Sequence, residues 1–115
     1  MKREQLSTDI TRIRFDSMEE WLVNRKGIGG SDASAILGLN PYKTNQVSPV
    51  DISDKPYVKY GNDAEPLLRA LFSLDYPEYT VEYYDNNMLI NKKYPWAHAS
   101  LDGELVDPDG RRGIL

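Results

Sequence analysis

Three short groups of residues in this sequence carry side chains that can hold a cation or a phosphate. In the first, Ser100-Leu101-Asp102-Gly103 leads into a short strand, Glu104-Leu105-Val106-Asp107, and a Pro108-Asp109-Gly110 turn, before a second strand begins at Gly113-Ile114-Leu115. An acid at the start of one hairpin strand, facing a neighbour that brings further ligands, is how a two-stranded metal site is built. Mg²⁺ takes carboxylate, carbonyl and water oxygens, so Asp102 suits it chemically. Asp-Gly is also a common turn pair, and that plainer reading stays open. The second group is Arg25-Lys26-Gly27-Ile28-Gly29-Gly30-Ser31-Asp32. Its glycines let backbone approach a ligand, Ser31 adds a hydroxyl, and Arg25 offers a fork of donors suited to phosphate. A helix opening after it would aim unpaired N–H groups at an anion. No Lys follows the glycines and no strand clearly precedes them, so this is neither a Walker loop nor a dinucleotide fingerprint. A plain glycine turn with a Ser cap fits the same residues. The third group is Gly61-Asn62-Asp63-Ala64-Glu65-Pro66, where Glu65 either favours a helix start through the macrodipole or points into a cleft as a ligand. His98 alone reads as a partly exposed strand residue rather than a base.

Elements must position these groups, and most are legible. Residues 1–16 are polar and mixed in charge, which predicts a loosely held arm ahead of a domain over 17–115. Ser17 can cap a helix in which Glu20 is the capping-box partner and Met18, Trp21 and Leu22 share a face, making Trp21 a core anchor. Ser31 is the expected cap of a short helix ended by Gly38 and Asn40-Pro41. Residues 41–60 hold three of the seven prolines without a sustained period, so a long loop is expected there. The clearest helix spans 62–72: Asn62 caps, Pro66 lies in the first turn, and Leu67, Leu68, Leu71 and Phe72 form a buried stripe. From Tyr79 the pattern turns to β. Thr80 to Tyr84 alternates, Met88-Leu89-Ile90 follows an Asp85-Asn86-Asn87 turn, and Ala97 to Val106 forms one strand with Ser100, Asp102 and Glu104 on a common face. Helices followed by consecutive strands give an α+β fold with a mainly antiparallel sheet.

Composition narrows the chemistry. The 115 residues suit one hydrophobic core, with 40% hydrophobic and 28% charged residues. With no cysteine and a single histidine, disulfides, zinc–thiolate sites, thiol catalysis and multi-histidine sites are excluded. No stretch approaches the roughly 20 apolar residues of a membrane span, and no apolar signal region follows Met1, so a cytoplasmic location is expected. The net charge of −4 weighs against a passive nucleic-acid clamp, and less against an enzyme whose carboxylates recruit divalent cations.

Taken in order, Arg25-x-Gly-Ile-Gly-Gly-Ser-Asp-Ala33, Leu37-Gly38-Leu39-Asn40-Pro41-Tyr42, Gly61-Asn62-x-x-Glu65-Pro66 and Ala99-Ser100-Leu101-Asp102-Gly103 resemble the YqaJ-type viral recombinases, relatives of the lambda exonuclease within the PD-(D/E)xK nucleases. The resemblance covers about residues 18–115, and the stretch between Tyr42 and Gly61 departs from the family pattern. It implies a restriction-endonuclease-like core and a Mg²⁺- or Mn²⁺-dependent deoxyribonuclease acting on double-stranded DNA ends, working beside a phage single-strand annealing protein. Asp102 matches the family's sheet Asp and Glu65 its helical acid, both as catalytic metal ligands. Arg25 and Ser31 match positions that hold the DNA phosphate, with Gly30 and Ser100 beside them. The family's Glu-x-Lys would come directly after Leu115 and is not in this sequence, so weak cation binding and negligible cleavage are expected. A central strand cut after three residues would expose a raw edge and favour a homo-oligomer. Two other readings stand: a non-catalytic DNA-end or phosphate-binding module built on Arg25, Ser31 and the glycines, and an interaction protein whose motifs are relics of its fold.

Overall fold

The computed structural model describes residues 1–40 and 54–115. In chain order its elements are β1 (Lys2–Gln5), β2 (Ile10–Arg14), α1 (Met18–Asn24), a 3₁₀ turn (Gly30–Asp32), α2 (Ala33–Ile36), α3 (Pro56–Asp75), β3 (Thr80–Glu82), β4 (Asn87–Asn91), β5 (His98–Ala99), β6 (Glu104–Val106) and β7 (Arg112–Ile114). Every ladder between these strands is antiparallel. The class is therefore α+β, in keeping with the restriction-endonuclease-like core that was expected. No helix among the described residues is long and apolar enough to cross a membrane.

Two compact units divide the chain. The first takes in the described residues of Met1–Val50 together with Asp85–Ser100. Its sheet runs β1-β2-β4-β5. The expected loose arm is instead a hairpin: Lys2 pairs with Arg14 and Gln5 with Thr11, and Ile13 lies opposite Met88 of β4. Ile13 and Phe15 are the reason, because both are buried with Met88 in a small core flanked by Trp21 and Ile90. A polar average over residues 1–16 hid two core anchors. The Asp85-Asn86-Asn87 turn forms as read, with Asn86 at φ 50, a left-handed conformation that asparagine tolerates.

The second unit takes in the described residues of Asp51–Tyr84 together with Leu101–Leu115, and its sheet runs β3-β6-β7. The Pro108-Asp109-Gly110 turn joins β6 to β7 as expected: Gly110 sits at φ 81 and donates to the Asp107 carbonyl at 3.0 Å. Two expectations fail here. The helix begins at Pro56, so Asn62 is interior rather than a cap, and Pro66 lies inside the helix rather than in its first turn. The long loop read over 41–60 thus ends before Pro56, and residues 41–53 lie outside the described residues. The leucine stripe is also not buried: Leu67, Leu68 and Leu71 are 71%, 61% and 53% exposed. The half-buried positions of α3 are instead those of Val58, Gly61, Ala64, Glu65, Arg69, Phe72 and Ser73, with the Phe72 ring 4.8 Å from that of Tyr76.

Nor is Ala97–Val106 one strand. It breaks into β5 of the first sheet and β6 of the second, so Ser100 and Asp102 do not share a strand face. The break has local causes. The Ser100 hydroxyl donates to the Asn87 carbonyl at 2.7 Å, while buried Gly103 accepts Leu115 N–H at 3.1 Å and packs on the Leu115 side chain.

Candidate functional site

In the first unit, α1 delivers the arginine. Ser17 Oγ accepts from Glu20 N–H at 3.0 Å, and the Glu20 carboxylate accepts from Asp16 N–H at 3.0 Å, so the cap forms with its return bond one residue early. Trp21 anchors the helix, donating its indole N–H to the Asn87 carbonyl at 3.0 Å and to Ser100 Oγ at 3.2 Å. Arg25 follows at the helix C-cap, its guanidinium 5.7 Å from the centre of the Trp21 ring. The glycines have distinct duties. Gly27, at φ 98, lies directly against the Trp96 carbonyl, where any Cβ would collide. Ile28 N–H donates to that carbonyl at 2.7 Å and the Ile28 carbonyl accepts from His98 N–H at 3.0 Å, stitching the loop to β5. A Cβ on Gly29 would meet the His98 ring at 2.8 Å, whereas one on Gly30 would meet nothing within 4 Å.

The cap of the 3₁₀ turn is not Ser31. Asp32, fully buried, accepts Gly29 N–H at 2.9 Å. Its carboxylate also lies 3.4 Å from Arg25 Nη2, the nitrogen that donates to Ser31 Oγ at 3.2 Å. Among the described residues these contacts use Nη2, leaving Nη1 and Nε of Arg25 for an anion. Asp32 orients the guanidinium and also competes with any phosphate for it. His98 closes the cluster, its Nε2 buried and without a hydrogen-bond partner among the described residues. Its pKa is lowered, first by burial and then by the positive Arg25, against a smaller upward pull from Asp32. Arg25 and Ser31 are thus together, with Gly30 in the turn beside them. Ser100 is engaged elsewhere, its hydroxyl donating to Asn87 and accepting from Trp21.

In the second unit, Arg69 gathers the two candidate acids. Its Nη1 donates to the Asp102 carbonyl at 2.8 Å and lies 3.7 Å from Glu65 Oε2, one turn earlier on α3. The guanidinium carbon lies over Tyr83, 3.8 Å from the ring centre. The Asp102 side chain is exposed and that of Glu65 half-exposed. The Asp102 oxygen at Arg69 is the backbone carbonyl; carboxylates such as those of Glu65 and Asp102 are hard donors of the kind Mg²⁺ and Mn²⁺ take. Among the described residues, no group of three or more acids or histidines is placed to hold a metal.

Sequence reasoning missed three residues that organise these clusters, namely Asp32, Arg69 and Arg112. The last joins acids on two strands: Arg112 Nη2 donates to Glu82 at 2.6 Å and to Glu104 at 3.3 Å. Those glutamates are direct cross-strand partners. Asp32 had a signal, an acid three residues after a glycine at a turn start. Arg69 also had one, being four residues after Glu65.

Residues 20–115 match the YqaJ-like viral recombinase domain. The chain belongs to that family. A curated relative, the "Uncharacterized protein YqaJ" of Bacillus subtilis (strain 168), is 72% identical over 68 residues, which cover 50% of this chain and 21% of the relative. The match thus spans about a fifth of that relative's length. No solved structure matches the chain.

Proposed function

We propose that this YqaJ-family chain carries part of a metal-dependent nuclease of phage recombination, acting on the ends of double-stranded DNA in the cytoplasm of a bacterial host. The observation that supports it most is that one guanidinium touches both segments, Arg69 Nη1 donating to the Asp102 backbone carbonyl at 2.8 Å and lying 3.7 Å from Glu65 Oε2. A bound Mg²⁺ or Mn²⁺ would polarise a phosphoryl oxygen and activate water there. In this chain Glu65 and Asp102 supply anionic oxygens, Arg69 keeps the Asp102 backbone in position, and Arg25 with Ser31 binds a DNA phosphate. With these two acids as the cation's ligands, binding is weak and cleavage by this chain negligible.

The test is thermal stability of the purified chain against MnCl₂ or MgCl₂. A cation at ten times its Kd stabilises by about 1.4 kcal/mol, so a rise in Tm at millimolar metal is expected, and Asp102→Asn removes it. Equal shifts in the parent and Asp102→Asn, or none in either, overturn the metal assignment. Robust metal-dependent digestion of linear duplex would overturn the expected inactivity.

A second reading, a phosphate-binding module without metal, has one observation in its favour. The Arg25–Ser31–Asp32 cluster is tied together by contacts within its own unit. On that reading Asp102→Asn leaves DNA affinity unchanged and Arg25→Ala abolishes it.

A further inference from the structure

The Lys92–Trp96 segment between β4 and β5 is used by neither cluster, yet it is the most unusual surface of the first unit. Tyr94 and Trp96 are large aromatic residues left 55% and 57% exposed, their rings 6.1 Å apart and inclined at 69°. They border an apolar cleft of about 430 Å³ whose floor includes Leu89, Ile90 and Ala99. Exposed rings on a floppy loop would collapse onto that cleft, but this loop is fastened. Lys93 N–H donates to Asn91 Oδ1 at 2.9 Å and Tyr94 N–H to the Asn91 carbonyl at 3.1 Å. Pro95 then occupies the second position of a turn closed by Ala97 N–H on the Tyr94 carbonyl at 2.9 Å. The Trp96 carbonyl is itself held by Ile28 N–H, from the glycine loop that follows Arg25.

Charge selects the occupant. In a chain of net charge −4, this segment carries two adjacent lysines, and among the described residues the acid paired with them is Asp9, 3.3 Å from Lys93. Rigid aromatic faces beside cationic side chains suit a ligand that is flat, apolar on its faces and anionic along one edge. Bases in a duplex already stack on one another, so only unpaired ones offer a free face.

We propose that Tyr94 and Trp96, flanked by Lys92 and Lys93, form a stacking platform for unpaired bases of single-stranded DNA, continuous through the Ile28–Trp96 link with the Arg25 phosphate cluster. This deepens the nuclease reading and rests on its claim that DNA is bound. The platform holds the strand that separates at an end, while Arg25 takes a phosphate of the backbone.

The test is fluorescence anisotropy at low salt with the 115-residue chain and two labelled probes, a 20-nucleotide oligo(dT) and a blunt duplex. Losing one stacked base costs about five-fold or more in affinity, so Trp96→Ala is expected to weaken oligo(dT) binding by about ten-fold and duplex binding by less than about two-fold. Trp96→Phe keeps a ring and stays close to the parent, and Tyr94→Ala repeats the loss without touching tryptophan. Arg25→Ala weakens both probes. Unchanged oligo(dT) affinity in Trp96→Ala overturns the platform, as does equal loss for both probes. Loss in Trp96→Ala with none in Arg25→Ala keeps the platform and removes the phosphate role of Arg25; the reverse removes the platform alone. Failure of the parent to bind either probe overturns both. A Trp96→Ala chain that binds DNA normally but no longer self-associates in sedimentation marks the rings as a protein contact, which also overturns the inference.

Discussion

Replacing Asp32 tests whether the Arg25 cluster is a built anion site or only a turn. The carboxylate is fully buried, accepts Gly29 N–H at 2.9 Å and lies 3.4 Å from Arg25 Nη2. Asp32→Ala leaves the Gly29 donor unsatisfied, which costs about 1–3 kcal/mol. Loss of the cap is the same event seen from the helix and is not added again. Arg25, 16% exposed, also loses its counter-charge, bringing the expected total to about 3 kcal/mol. Asp32→Asn keeps an oxygen for Gly29 and loses only the charge, so about 1–2 kcal/mol is expected. At about 4 °C per kcal/mol for a domain of this size, the two Tm losses are about 12 °C and about 6 °C. Thermal unfolding followed by circular dichroism at pH 7 reads both. The functional sign is opposite: removing a negative charge from beside the guanidinium strengthens phosphate binding, so Asp32→Asn should bind duplex DNA more tightly than the parent while melting earlier. Equal Tm loss in the two variants would refute the hydrogen-bond account, and weaker DNA binding by Asp32→Asn would refute the anion site.

Two further outcomes follow from groups held in place by charge. The pKa of His98 lies below the ordinary histidine value because burial and Arg25 disfavour its proton, so the unfolded chain takes up that proton first on acidification. Stability from this group is therefore complete above the ordinary histidine pKa of about 6.5 and falls as pH drops through it towards the lowered folded value; a Tm–pH profile from 8 to 5 should be flatter for His98→Leu than for the parent. Arg112→Met leaves Glu82 and Glu104 facing each other across β3 and β6 with their shared guanidinium gone, at a cost of about 1–3 kcal/mol by urea denaturation. Adding Glu82→Gln removes the repulsion and should restore part of that loss; no restoration would show that the arginine acts through packing alone.

What the sequence disclosed and what it hid divide along one line. Most local signals held, the caps read at Ser31 and Asn62 excepted: Ser17 caps α1, Trp21 anchors it, Gly38 at φ 72 ends the helical segment after Asp32, and Pro108-Asp109-Gly110 turns the β6–β7 hairpin. Signals that depend on distant partners did not. The hairpin of residues 2–14 is stabilised by Met88, some seventy positions away, and nothing near Ile13 announces that partner. The α3 leucines form a regular stripe, but periodicity marks a face without saying what meets it, and the half-buried face carries Arg69 and Phe72. Likewise, Asp102 and Ser100 are two residues apart in sequence yet serve different units, because the Ser100 hydroxyl and the Gly103 carbonyl bind different neighbours. The motif was legible as a motif. Its division between two units was not.

The three contacts of Arg69 differ in strength, and that difference decides what the candidate metal site can do. The bond to the Asp102 carbonyl is 2.8 Å and the guanidinium lies 3.8 Å from the Tyr83 ring centre, whereas the Glu65 contact is 3.7 Å, one turn apart on a half-exposed helix face. A pair of that last kind is worth about 0.3–0.5 kcal/mol. A cation would therefore detach Glu65 from Arg69 at little cost, with the arginine still held by Tyr83 and the Asp102 backbone. Arg69 would then be a fixed positive charge beside it. A fixed arginine beside Glu65 and the Asp102 segment would offset part of the acids' negative charge and so weaken any cation binding there. The arginine thus holds the Asp102 backbone through a 2.8 Å bond and sets the local charge that a cation would meet.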